Sequence, residues 1–168
     1  MSDPLDELFM ATALEEARSA LEEGMFPVGA VVVQNGKIVS RRHKFRCGIQ
    51  SLDHAEMLTL RDVEIVHARK AECTIYSNLE PCTMCFGTIL NLHIPRVVFG
   101  LEDPYDGYAK CFTTSHATLR HQDRMPVVLG GVLRAQSRAL FREYFLTTNH
   151  VFWKHAHTNP LVQICKDE

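Results

Sequence analysis

The chain has 168 residues, 46% hydrophobic and 23% charged, which is enough for one domain (residues 1–168) with a sizeable core and too little for two comfortable ones. That balance excludes a disordered or fibrous chain, and a formal charge of −2 lacks the strongly basic composition by which nucleic-acid binders usually declare themselves. Asp3, Asp6 and Glu7 stand where a secretory signal would be basic, and no run approaches the ~18 apolar residues of a membrane span. Six cysteines in such a chain point to metal or catalysis rather than to a disulfide framework, so a cytoplasmic protein without membrane contact is expected.

In chain order, Leu5, Leu8, Phe9, Ala13, Ala17 and Leu21 recur near a 3.6-residue period and predict a helix with Asp3 as its N-cap, Pro4 at its first position and Gly24 as its stop. The β-branched run Val28–Val33, then Asn35-Gly36, then Lys37–Val39 predicts a hairpin. A short helix is expected from His54 to about Asp62 with Asp53 as N-cap. Cys73–Tyr76 reads as a strand, Thr83–Leu92 as a helix, and Arg96–Phe99 as a strand. Leu101 to Met125 is polar and irregular, the length of connection that usually carries function. Val127–Leu129 reads as a last strand, Leu133–Leu146 as an amphipathic helix, and the tail after Thr147 has no clear pattern. A hairpin followed by alternating strands and helices predicts a three-layer α/β/α sandwich around a mixed sheet of about five strands.

Two short motifs carry chemistry: His54-Ala55-Glu56 and Pro81-Cys82-Thr83-Met84-Cys85. Thiols three residues apart at a helix start lie on one face and can reach one ion, and the positive end of the helix favours thiolate. With one imidazole they make three ligands of a tetrahedral zinc, the fourth position staying open as in catalytic sites. Water held there would have its pKa lowered to about 7, and Glu56 is placed as the proton shuttle. A structural zinc needs a fourth protein ligand; Cys47, Cys73, Cys111, Cys165 and His93 lack motif spacing to the pair.

These motifs, with Phe26–Val33, Leu79–Cys85 and Arg96–Gly100, make the chain resemble the cytidine and deoxycytidylate deaminase superfamily, and within it the branch of tRNA adenosine deaminases and nucleobase deaminases. The resemblance implies a central sheet between helices, a homodimer, zinc held by His54, Cys82 and Cys85, and Glu56 as catalytic acid and base. It implies hydrolytic removal of the exocyclic amine of a nucleobase, as free base, nucleoside or tRNA adenosine, with release of ammonia. The reading of another class is a catalytically idle subunit or binding module with this fold and a structural zinc.

Two departures bear on the substrate. Lys44 stands near the place of a base- or ribose-holding Asn of the family, within the basic run Arg41–Arg46, and the tail lacks the basic helix of the tRNA enzymes. Substrate contacts are expected from Phe26, Lys44, Ala55, Glu80, Asp103 and Tyr105. Each has a plainer alternative: Phe26 as core, Glu80 as a partner of nearby backbone, Tyr105, Tyr108 and Phe112 as loop aromatics packed on the core, and the basic run as a solvated flank. Arg134, Arg138 and Arg142, four apart, are either the wet face of the last helix or, beside the pocket, a phosphate-binding stripe.

Overall fold

In the computed structural model, residues 3–45, 52–62, 69–109 and 125–166 are described. Five strands form one mixed sheet in the order β2-β1-β3-β4-β5. β1 (Gly29–Gln34) pairs antiparallel with β2 (Lys37–His43) and with β3 (Cys73–Leu79); β4 (Arg96–Leu101) lies parallel to β3, and β5 (Val127–Leu129) parallel to β4. Asn35 and Gly36 close the hairpin at φ 50° and 74°, the double left-handed geometry that Asn-Gly tolerates best.

Helices cover both faces. α1 (Pro4–Glu22) and α4 (Arg134–Thr147) pack on one, and α2 (Ala55–Leu60) and α3 (Thr83–Leu92) on the other. Alternation along β4 shows the two-sided burial, with Val97 and Phe99 packed among Leu60, Phe86 and Ile89 while Val98 packs among Phe9, Met10 and Ala13. A third cluster, including Val28, Leu79, Leu101, Phe141 and Leu161, closes one end of the sandwich. This is the three-layer arrangement expected from the element order.

Several local expectations change. The Asp3 carboxylate does cap α1, accepting from Leu5 N–H at 3.0 Å, and Gly24 ends the helix region at φ 74°. The buried face is rotated, however: Leu5 and Leu8 are 56% and 59% exposed, while Asp6, Phe9, Met10, Ala13, Ala17 and Ala20 face the sheet. Small alanines let the helix backbone touch the sheet, since a Cβ on Gly29 would lie 2.2 Å from the Ala13 carbonyl oxygen. Asp6 occupies that face because Arg96 holds it bidentately, both nitrogens 2.7 Å from its carboxylate oxygens, while the Tyr76 hydroxyl donates to Asp6 Oδ1 at 2.9 Å.

β3 runs three residues past Tyr76. Its Ser77 and Asn78 are polar but satisfied: Asn78 accepts from Gly29 N–H and donates to the Pro27 carbonyl, each at 2.9 Å. α2 starts one residue later than expected, with His54 rather than Asp53 at the N-cap. Leu133, at φ 51°, sits just before α4, and the unreadable tail forms α5 (Val151–His155) and α6 (Pro160–Lys166). Cys73 is a buried core residue, as its strand position suggested. Among the described residues no helix is long and apolar enough to cross a membrane.

Candidate active site

Each expected ligand sits where an element begins. His54 is the N-cap of α2, and Cys82 is the N-cap of α3, one turn before Cys85. Neither N-cap side chain makes the usual capping hydrogen bond to its own helix. His54 Nδ1 lies 3.6 Å from Cys82 Sγ and 3.5 Å from Cys85 Sγ, and all three donor atoms lie within 4.8 Å of one another. Glu56, 3% exposed in the first turn of α2, accepts from the Ser77 hydroxyl at 3.2 Å and is hydrogen-bonded to Cys85.

The charges in this cluster are strongly interdependent. The hydrogen bond from Cys85 brings the Cys82 thiol down to about 4, with His54 adding to it against the cost of burial. Cys85 is pushed up by its bond to Cys82 and by burial. The Cys82 sulfur raises His54, and burial raises Glu56. Cys82 and Cys85 thus hydrogen-bond to one another beside an imidazole, and a divalent cation bound there would take the place of the thiol protons. The spacing fits zinc: Zn–S of ~2.3 Å and Zn–N of ~2.0–2.1 Å at tetrahedral angles would put sulfur and nitrogen about 3.5–3.6 Å apart, matching the observed 3.5 and 3.6 Å.

Beside the cluster is a cavity of about 110 Å³, comparable with the ~150 Å³ that accommodates a benzene ring. Phe26, Lys44, Ala55, Glu80, Asp103 and Tyr105 all line it, together with His54, Glu56 and Cys82. Several of them also serve the local fold. Glu80 Oε2 accepts from Asp103 N–H at 3.2 Å, and Asp103 Oδ1 accepts from Tyr105 N–H at 2.9 Å and Asp106 N–H at 3.2 Å. Burial pushes the Asp103 carboxyl up to about 6. Gly107 permits this turn, because a Cβ there would meet the Asp103 carbonyl oxygen at 2.4 Å.

The tail after Thr147, silent in the sequence pattern, supplies much of the remaining wall through His150, Phe152, Trp153 and Leu161, beside Tyr144 of α4. Trp153 stacks on Phe26 with ring centroids 4.9 Å apart and planes 4° from parallel. The concentration of aromatics in this segment was the one available hint. Ser77 was also missed, lying beyond the apolar run that marked its strand.

Other expectations resolve away from the cavity. Arg41 pairs with Glu15 and Glu16, Arg42 with Asp62, and His43 with Glu16 and Glu23, so these residues tie β2 to α1 and to the turn after α2. Lys44 is buried and lines the cavity. Arg134 pairs with Glu102 and Arg142 is exposed; the stripe on α4 does not line the cavity. Tyr108 packs edge-on against Phe86 in the core. Arg46, Cys47, Cys111 and Phe112 lie outside the described residues.

Comparison with known proteins agrees with this geometry. Residues 3–101 match the family model of the cytidine and deoxycytidylate deaminase zinc-binding region. A tRNA-specific adenosine deaminase of Bacillus subtilis (strain 168) is 37% identical over 145 residues, covering 83% of this chain and 88% of that protein. One of Aquifex aeolicus (strain VF5) is 34% identical over 124 residues, covering 69% and 80%. A structure from work on A-to-I editing by tRNA:A34 deaminases superposes with a TM-score of 0.66 at 30% identity, covering 79% of this chain and 98% of the other. A guanine deaminase from Nitrosomonas europaea shares the fold, with a TM-score of 0.64 at 22% identity over 86% and 85% of the two chains. The chain therefore belongs to the cytidine and deoxycytidylate deaminase family and is a hydrolytic deaminase acting on a carbon–nitrogen bond.

Proposed function

We propose that the chain hydrolyses the exocyclic amine of a nucleobase, with zinc held by His54, Cys82 and Cys85 and with Glu56 moving the protons. The observation that carries this reading is the convergence of one imidazole nitrogen and two sulfurs at 3.5 and 3.6 Å, with a buried carboxylate beside them. Zinc bound there supplies a Lewis acid that makes water a nucleophile at neutral pH. Glu56 accepts a proton from the attacking water and delivers it to the departing nitrogen; a C–O bond forms, the C–N bond breaks, and ammonia leaves. Phe26 and Ala55 bound the ring, while Lys44, Glu80, Asp103 and Tyr105 offer polar contacts around its edge. By analogy with its family, the working unit is a homodimer.

Adenosine in tRNA is the first substrate to test, because relatives at 37% and 34% identity carry that name. A free base is the second reading, favoured by the C-terminal aromatics that wall the cavity and by the carboxylates of Glu80, Asp103 and Asp106 lining it, which oppose a phosphate. Ammonia release should be measured on an anticodon stem-loop and on free amino-purines and amino-pyrimidines over a range of salt. RNA turnover should weaken steeply with salt, whereas turnover of a neutral base should barely respond. Full zinc occupancy with no ammonia from any substrate would favour the idle-module reading.

A further inference from the structure

Ser77 lies in the middle of β3, opposite Ala30 of β1 and Phe99 of β4, so its backbone is held from both sides. Strand alternation puts it on the same face as Ile75, which packs among Leu60, Phe86 and Ile89 beneath α2 and α3. A hydroxyl at this apolar position, 1% exposed, costs stability unless it is bonded. The bond shown is the one Ser77 Oγ donates to Glu56 Oε1 at 3.2 Å. Backbone and neighbouring side chains hold most of Glu56, but the last torsion of a glutamate is broad, with no deep rotamer well of its own. Its hydrogen-bonding partners therefore set the plane of the carboxylate, and of Ser77 and Cys85 it is Ser77 that is carried by a central strand.

We propose that Ser77 is a positioning residue for the proton shuttle: by holding Oε1 of Glu56 from a central strand it orients the carboxylate plane for proton exchange with water and the leaving amine. The inference rests on the shuttle role proposed above for Glu56. Proton transfer needs heavy atoms ~2.6–3.2 Å apart and aligned, and a carboxylate free to turn spends part of its time misaligned. The strand supplies the rigidity, since a loop residue at the same distance would not hold the angle as well. Ser77 touches neither substrate nor reacting atoms and acts only through Glu56.

Ser77→Thr and Ser77→Val make a matched pair, equal in shape and differing by a hydroxyl against a methyl. Both are measured alongside Glu56→Gln on whichever stem-loop or free base the wild-type chain deaminates fastest. The expected result is a kcat for Ser77→Val about 10–100-fold below that of Ser77→Thr, the usual range for losing a supporting hydrogen bond behind a catalytic group. KM should stay within about twofold and zinc content should be unchanged. Crystal structures should show a single Glu56 carboxylate orientation in Ser77→Thr and a turned or divided one in Ser77→Val. Equal kcat for the pair, a change in KM alone, or an unmoved carboxylate in Ser77→Val overturns the inference. An active Glu56→Gln chain would instead overturn the shuttle role, so the two failures are distinguishable.

Discussion

Two clusters of ionisable side chains are buried on opposite faces of the same sheet, and they treat charge in opposite ways. Behind α1, the Asp6 carboxylate has a bidentate guanidinium and a tyrosine hydroxyl at 2.7–2.9 Å, and Arg96 holds it below the usual carboxylate range. Beneath α2 and α3, burial pushes Glu56 up, and two hydrogen-bonded thiols lie beside the His54 imidazole. A buried charge with a full set of partners locks elements together, whereas one left short of partners is held for a ligand or a reaction. The first cluster joins α1 to β3 and β4; the second gathers the groups proposed to bind a cation and move protons.

Cutting the second cluster should give the largest effects. Cys85→Ser should lose both zinc and ammonia release, read by metal analysis and by turnover, because two ligands hold a catalytic zinc poorly. Glu56→Gln should cost about 10²–10⁴-fold in kcat while zinc content and melting temperature stay near wild type. Retained turnover would remove Glu56 from the chemistry.

The first cluster should respond in stability instead. Asp6→Ala strands a guanidinium beside the core and should cost about 3 kcal/mol in denaturant unfolding, with kcat at a permissive temperature unchanged. Because the folded carboxyl lies below its ordinary value, its contribution is fully present above about pH 4 and is lost as pH falls through the folded value. Asp6→Asn should therefore flatten the acid limb of the stability curve; an unaltered limb would assign acid sensitivity elsewhere.

Asp103 offers the smallest and opposite effect. Its carboxyl is pushed up to about 6, so the folded chain binds that proton more tightly than the unfolded chain does, and stability falls as pH rises between about 4 and 6. Asp103→Asn keeps an acceptor for Tyr105 and Asp106 N–H and should raise the melting temperature slightly at pH 7 but not at pH 4.

The two candidate metal-binding motifs were legible because the geometry within each is local. Two sulfurs three apart at a helix start fall on one side whatever the rest of the chain does, and the strand–helix–strand pattern around them sets the sheet. The rotation of α1 was not legible: Leu5 and Leu8 satisfy a helical period as well as Met10 and Ala20 do, and only the Arg96 side chain, 90 residues from Asp6, turns an acidic residue inward. The basic run Arg41–His43 reads equally as a phosphate grip until α1 and the turn after α2 supply the carboxylates that neutralise most of it.

From residue order alone come the hairpin at Asn35-Gly36, the alternation of strand and helix, and the candidate pairs His54/Glu56 and Cys82/Cys85, since each depends on spacings of a few residues; the resemblance joined the two pairs, and the fold brings them together across 28 positions. Tertiary structure decided which face of α1 is buried, how the C-terminal segment walls the cavity, and that Ser77 meets Glu56 across 21 positions. Those outcomes depend on which buried polar groups find partners, and partners far apart in the chain become neighbours only when the sheet closes.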